Sequence, residues 1–141
     1  MPNAQSLDNL LGNVERYATF HDAIFLAMHV DYTARRFVAE VDVCVGDPHA
    51  PDKTNRERRR RGQLAIEGLK LWALEPPGST GGGIDGGLWL TAEGPLFDSP
   101  TLTGRALARD VGPSGVSWFL YFNDLNAFAY LAGESAAFTW S

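Results

Sequence analysis

The sequence predicts a mainly β (α+β) domain in which an N-terminal helix packs on an antiparallel meander that forms a sandwich or a partly open barrel. Three observations lead there. Runs of alternating apolar and polar residues recur along the chain from Thr19 onward. The breaks between them are short and marked by Gly, Pro, Asn and Asp, which favours pairing between sequence neighbours. At 141 residues, 45% hydrophobic and 21% charged, the chain has the balance of one globular domain, 1–141. A domain of that length buries roughly two-thirds of the surface its unfolded chain exposes.

Ser6 followed by Leu7, Leu10, Leu11, Val14 and Tyr17 gives apolar residues at spacings of three and four behind an N-cap, so a short amphipathic helix is expected within residues 1–18. Gly12 lies inside it at a cost of about 1 kcal/mol relative to alanine, and packing on the sheet must offset that cost.

The next two runs are strands of a hairpin. FHDAIFLAMHVDY alternates Ile24, Leu26, Met28 and Val30 against Phe25, Ala27, His29 and Asp31. RRFVAEVDVCVGD sets Phe37, Ala39, Val41, Val43 and Val45 against Arg36, Val38, Glu40, Asp42 and Cys44, with the turn at Thr33 and Ala34. Residues 46–61 read as a mobile basic loop broken by Gly46, Pro48 and Pro51.

GQLAIEGLKLWALE, Gly62 to Glu75, is apolar in both alternation sets, the pattern of an internal strand. Gly68 marks a bulge where the alternation falters. Residues 76–87 form a flexible Gly-rich loop. LWLTAE is a short strand, GPLFDSPTLTG is irregular, and RALARDV fits a strand or a helical turn equally well. GVSWFLYFND is a strand with Val116, Trp118, Leu120 and Phe122 on one side. AFAYLAGESAAFTW reads as a final hairpin turning at Gly133 and Glu134, which brings the total to about seven strands. Trp118, Phe122, Phe128, Phe138 and Trp140 are the expected aromatic core.

Charge and cysteine content narrow the function classes. Residues 53–61 carry Lys53, Arg56 and Arg58 to Arg61 against Glu57, a local +5 that leaves −10 on the rest of a chain of net charge −5. So acidic a body repels nucleic acid, whose binding depends on neutralising phosphates. The lone Cys44 cannot form an intramolecular disulfide and reads as a buried small hydrophobe. The first residues lack a basic region and an apolar run, and no apolar segment approaches the ~18 residues of a membrane span. A cytoplasmic protein that does not bind membranes is expected.

Few residues could carry chemistry. His21 beside Asp22 resembles a general base with its orienting carboxylate, but neighbours on a strand point to opposite faces, so the pair reads first as a turn. His29 and Asp31 share a strand face, with Glu40 and Asp42 available across the hairpin. Such a set could hold a divalent cation or simply be a solvated face. Arg58, Arg59, Arg60 and Arg61 read first as a solvated loop, then as a contact for an acidic protein surface such as a second subunit, and last, against the acidic body, as a nucleic-acid contact. GSTGGGIDGG lacks the Lys-Ser/Thr ending of a phosphate loop, and no serine has nucleophile-elbow context.

Three segments, FHDA at 20–23, LAIEGL at 64–69 and FNDLNAFAYLAGESAAFTW at 122–140, together resemble small uncharacterised bacterial β-rich domains. Some of these are grouped with immunity proteins of bacterial toxin systems. The resemblance implies a helix-then-strand opening and a β-rich fold, with no functional residue to carry over. Asn126-Ala127-Phe128 stands where the family pattern has a serine.

A non-catalytic protein-binding module is therefore expected, a homodimer being its commonest form. The alternative is a small-molecule or metal-binding β-barrel, with or without enzymatic activity, that uses His21, Asp22, His29 and Asp31. No catalytic residue, metal-ligand set or cofactor is assigned.

Overall fold

The computed structural model describes residues 6–79 and 83–141. Eight antiparallel strands form one sheet: β1 (Thr19–Asp31), β2 (Arg36–Cys44), β3 (Arg59–Glu67), β4 (Leu71–Leu74), β5 (Leu88–Pro95), β6 (Val116–Phe122), β7 (Ala127–Gly133) and β8 (Ser135–Trp140). Their order is β4-β7-β6-β5-β1-β2-β3-β8, so the sheet is not closed and ends at β4 and β8.

Its ends are held together by the chain itself. β3 continues into β4 across Gly68, and β7 continues into β8 across Glu134. β3 pairs with β8 from Gly62↔Trp140 to Glu67↔Ser135, and β4 pairs with β7 from Leu71↔Ala132 to Leu74↔Ala129. The register slips by one between the two blocks, which places a bulge at the bend. Gly68 takes a φ of 62° there, and the Glu134 amide donates to the Glu67 and Gly68 carbonyls at 3.0 and 3.2 Å. Each strand thus passes from one half of the sheet to the other, and the halves meet over a common core. Phe25 of β1 packs edge-on against Phe122 of β6, with centroids 5.3 Å apart, and Phe37 of β2 lies 4.8 Å from Trp72 of β4.

Two expectations are corrected by this corner. Gly62–Glu75 spans two strands, the end of interior β3 and the edge strand β4, rather than one internal strand, and its two-sided apolar pattern reflects a change of inward residue at the bulge. Leu64 and Ile66 are buried before the bulge and Leu69 after it, while Leu74 is 40% exposed at the sheet end. Gly133 and Glu134 make no hairpin, because β7 and β8 bind different neighbours.

Elsewhere the alternation holds where strands are regular. Phe37, Ala39, Val41, Val43 and Val45 are all buried, as are Val116, Trp118, Leu120 and Phe122. β1 departs, because register shifts lie between Thr19 and Ile24 and between Phe25 and Ala27. Phe20, Ala23 and Phe25 face the core, and beyond the second shift Met28 and Val30 do. Phe128 sits outside the core, with Tyr121 and Tyr130 beside it, whereas Phe138 and Trp140 pack partly buried against the core.

The N-terminal helix is reduced to a 3₁₀ turn, Leu7–Leu11, which ends at Gly12 with φ 67°. Leu7 and Leu11 are buried, but Val14 is 71% exposed, so the apolar stripe beyond Gly12 finds no surface to pack on. The basic loop is shorter than expected. It holds a one-turn helix, α1 (Lys53–Arg56), capped by Asp52, and β3 begins at Arg59. Of the Gly-rich loop, residues 80–82 lie outside the described residues.

RALARDV belongs to a helix, α2 (Leu102–Val111), whose N-cap Thr101 accepts from the Gly104 amide. α2 lies against the outward side of β7. Gly104 allows this close approach, since a Cβ there would collide with Ser99 and with the Tyr130 ring. Tyr130 is consequently buried although it points away from the core, and Ala132 on the same side of β7 is buried as well. Among the described residues no helix is long and apolar enough to cross a membrane.

Gly68→Ala should lower stability by about 1–2 kcal/mol, the cost of a left-handed backbone for an L-residue, and Trp118→Ala by ~3–5 kcal/mol. Urea unfolding measures both. An unchanged midpoint for Gly68→Ala would contradict the role given to the bend.

Candidate functional site

His21 and Asp22 come together by a route that strand alternation hides. Asp22 has a φ of 65°, which interrupts the pleat at the first register shift of β1 and brings neighbouring side chains to one side. One Asp22 carboxylate oxygen accepts from the Trp89 indole N–H at 2.8 Å, and the other lies 3.6 Å from His21 Nε2. The Asp22 carbonyl accepts from Arg59 Nη2 at 2.9 Å and from the Cys44 thiol at 3.8 Å. The two side chains thus lie on one side of the strand, where simple alternation would separate them.

His21 borders a cleft of about 210 Å³ whose other walls are Asp8, Thr19, Leu90, Ala92 and Glu93. Asp8 is fixed by the Thr19 hydroxyl at 3.0 Å and the Phe20 amide at 2.8 Å, which tie the 3₁₀ turn to β1. Burial, reinforced by the nearby Asp8, pushes the Glu93 carboxyl above the usual range. The cleft therefore brings together two carboxyl groups, of Asp8 and Glu93, and one imidazole, with the Glu93 carboxyl retaining its proton to higher pH. Cys44 lies on the outer side of β2 rather than in the core, 3.0 Å from Arg59 Nη1, and burial raises its thiol.

His29 and Asp31 do not assemble a ligand set. Asp31 accepts from the Ala34 amide and shapes the β1–β2 turn, where Arg35 has a φ of 54°. His29 stands opposite Val38, Glu40 opposite Ala27, and Asp42 is paired with Arg59. Among the described residues no group of three or more His, Cys, Asp or Glu side chains could hold a metal ion.

The arginine run is largely committed to the fold. Arg58 and Arg60 both reach Glu15, at 2.7 and 3.3 Å, and hold its carboxyl below the usual range, Arg58 most strongly. Arg60 also stacks its guanidinium 5.3 Å from the Trp140 ring centroid. Arg59 binds Asp42 at 3.2 Å. Of the four, only the Arg61 side chain has no hydrogen bond or ion pair among the described residues; its carbonyl accepts from the Ser141 amide at 3.0 Å.

Arg61 belongs to a broader feature, the outward face of β1, β2, β3 and β8. Its rows follow from the registers: His29, Val38, Ala65 and Ala137, then Ala27, Glu40, Gln63 and Thr139, then Ile24, Asp42 and Arg61. Arg36 and Glu67, paired at 2.6 Å, close one end, and Arg59 with Asp42 closes the other. Between these ridges the small side chains leave two depressions of about 270 and 250 Å³ on either side of Glu40 and Gln63. Glu40, Gln63 and His29 are exposed, and their side chains, like that of Arg61, make no internal hydrogen bond or ion pair among the described residues. Sequence reasoning named His29 and Arg61 here but missed Glu40 with Gln63 as a pair. The only available signal was the row of outward alanines in strands that otherwise favour larger residues.

No family model, curated protein or solved structure matches the chain.

The cleft yields a pH test. The folded chain holds the Glu93 proton more tightly than the unfolded chain, so its contribution to stability is lost as pH rises from the usual carboxylate value through Glu93's raised one. Glu93→Gln should match the wild type below that window and exceed it in stability above. A difference that stays constant with pH in thermal unfolding would contradict this environment.

Proposed function

We propose that the protein is a non-catalytic interaction module that binds a protein partner through the outward face of β1, β2, β3 and β8. One observation carries this reading: α2 covers the outward side of β7, while the opposite half of the sheet keeps a low, uncovered face with charged groups that have no internal partner. A face intended only for solvent has no use for Ala27, Ala65 and Ala137, since alanine is a poor strand former. The core offers no room for the alternative of a ligand inside a barrel, since Phe20, Phe25, Phe37, Trp118 and Phe122 are fully or almost fully buried there. An immunity role, implied by the resemblance of residues 20–23, 64–69 and 122–140, is one form of this reading. In that form the acidic body faces a basic toxin, and binding weakens as salt rises.

A photo-crosslinking amino acid at Ala65 should give adducts heavier than the single chain in cell extract, while the same group at Thr103, exposed on α2, should give none. Adducts from Thr103 alone, or from neither position, would contradict the assignment of this face.

A further inference from the structure

We infer that the occupant of the uncovered face is a second copy of this chain, related by a two-fold axis lying in the plane of the interface. The inference rests on the interaction-module reading and adds the partner's identity and its register. Its basis is charge. Among the described residues, the trough between the two closing ion pairs keeps the side chains of one cation, Arg61, and one anion, Glu40, without internal partners. A two-fold contact meets itself, so it needs equal and opposite groups on one surface, and this face supplies one of each.

The registers fix the arrangement. Glu40 stands opposite Gln63 and Asp42 opposite Arg61, so these four residues occupy the corners of a parallelogram. Glu40 and Arg61 lie on one diagonal, and both line the same depression. An axis along the other diagonal sets Arg61 of each copy over Glu40 of its mate and lays the two Gln63 side chains beside each other. Asp42, which the axis brings near its own mate, is already neutralised by Arg59. Ala65 and Ala137 lie one row away and let the two sheets approach closely.

The face is small. Four strands spaced about 4.8 Å apart and about 30 Å long present on the order of 600 Å² per copy, below the ~800 Å² of a standard interface. The dimer is therefore reversible and concentration-dependent, and salt weakens it.

Sedimentation velocity on the purified full chain, from low to high micromolar, tests this. The wild type should dimerise as concentration rises. Arg61→Glu or Glu40→Arg alone puts like charges at both contacts and should weaken dimerisation about tenfold or more. An equimolar mixture of the two variants restores both contacts and should dimerise more tightly than either alone. Gln63→Cys, which alters no charge, should form an interchain disulfide under mild oxidation. A wild type that stays monomeric throughout, or a mixture no tighter than its components, overturns the second-copy assignment. If the Ala65 crosslink then carries a different protein, the interaction face stands and only its occupant changes; if it carries nothing, both fall.

Discussion

The double bend at Gly68 and Glu134 is the constraint on which the rest of the molecule depends. A sheet of eight strands with free ends would expose two edges and leave one face without cover. Here the terminal strands β4 and β8 are continuations of the interior strands β3 and β7, so the chain itself folds the sheet over. Glycine at 68 accepts the left-handed backbone that the bend requires, and the Glu134 amide finds two carbonyls across it. Once bent, Phe25 meets Phe122 and Phe37 meets Trp72, contacts between strands that share no hydrogen bonds. The remaining opening is closed by Leu7 and Leu11 of the 3₁₀ turn, anchored by Asp8 and by the Trp140 indole, which donates to the Leu11 carbonyl at 3.2 Å.

The bend also makes the two outward faces unequal. On one half, Glu75, Tyr130, Thr101 and Ser99 form a chain of hydrogen bonds beneath α2. Tyr130 donates to Glu75 at 2.9 Å, its oxygen lies 2.7 Å from that of Thr101, and Thr101 lies 3.0 Å from Ser99. Each polar atom there has a partner, so burial carries little penalty. On the other half, among the described residues, the charged groups pair only at the two ends of the trough, and the side chains in the low middle are unpaired. The arginine run, the most conspicuous feature of the sequence, mostly closes the fold: Arg58 and Arg60 clasp Glu15, and Arg59 binds Asp42 and the Asp22 carbonyl.

What could be read from the sequence follows the regularity of each strand. β2 and β6 are plain two-residue repeats, and every inward residue was identifiable. β1 was not, because Asp22 and the slip after Phe25 exchange its faces twice, leaving both alternation sets partly right. Gly133-Glu134 has hairpin composition, and only tertiary pairing decides that the chain continues past it. Arg59 to Arg61 alternate in and out of a strand, yet three arginines in succession carry no hydrophobic period to reveal it. Of the candidate site, His21 and Asp22 were found without the backbone geometry that joins them. Asp8 and Glu93 were invisible because they lie 85 positions apart and meet only once the sheet has folded.

One half of the sheet is covered by α2, and the other is proposed to meet a partner. A dilution series of amide nitrogen–proton spectra on the isotopically labelled chain reads both halves at once. Amides of Ala27, His29, Gln63, Ala65 and Thr139 should shift progressively with concentration, while those of Tyr130, Ala132 and α2 stay fixed. Shifts confined to α2 and β7, or spectra that do not change with concentration, would contradict that proposal.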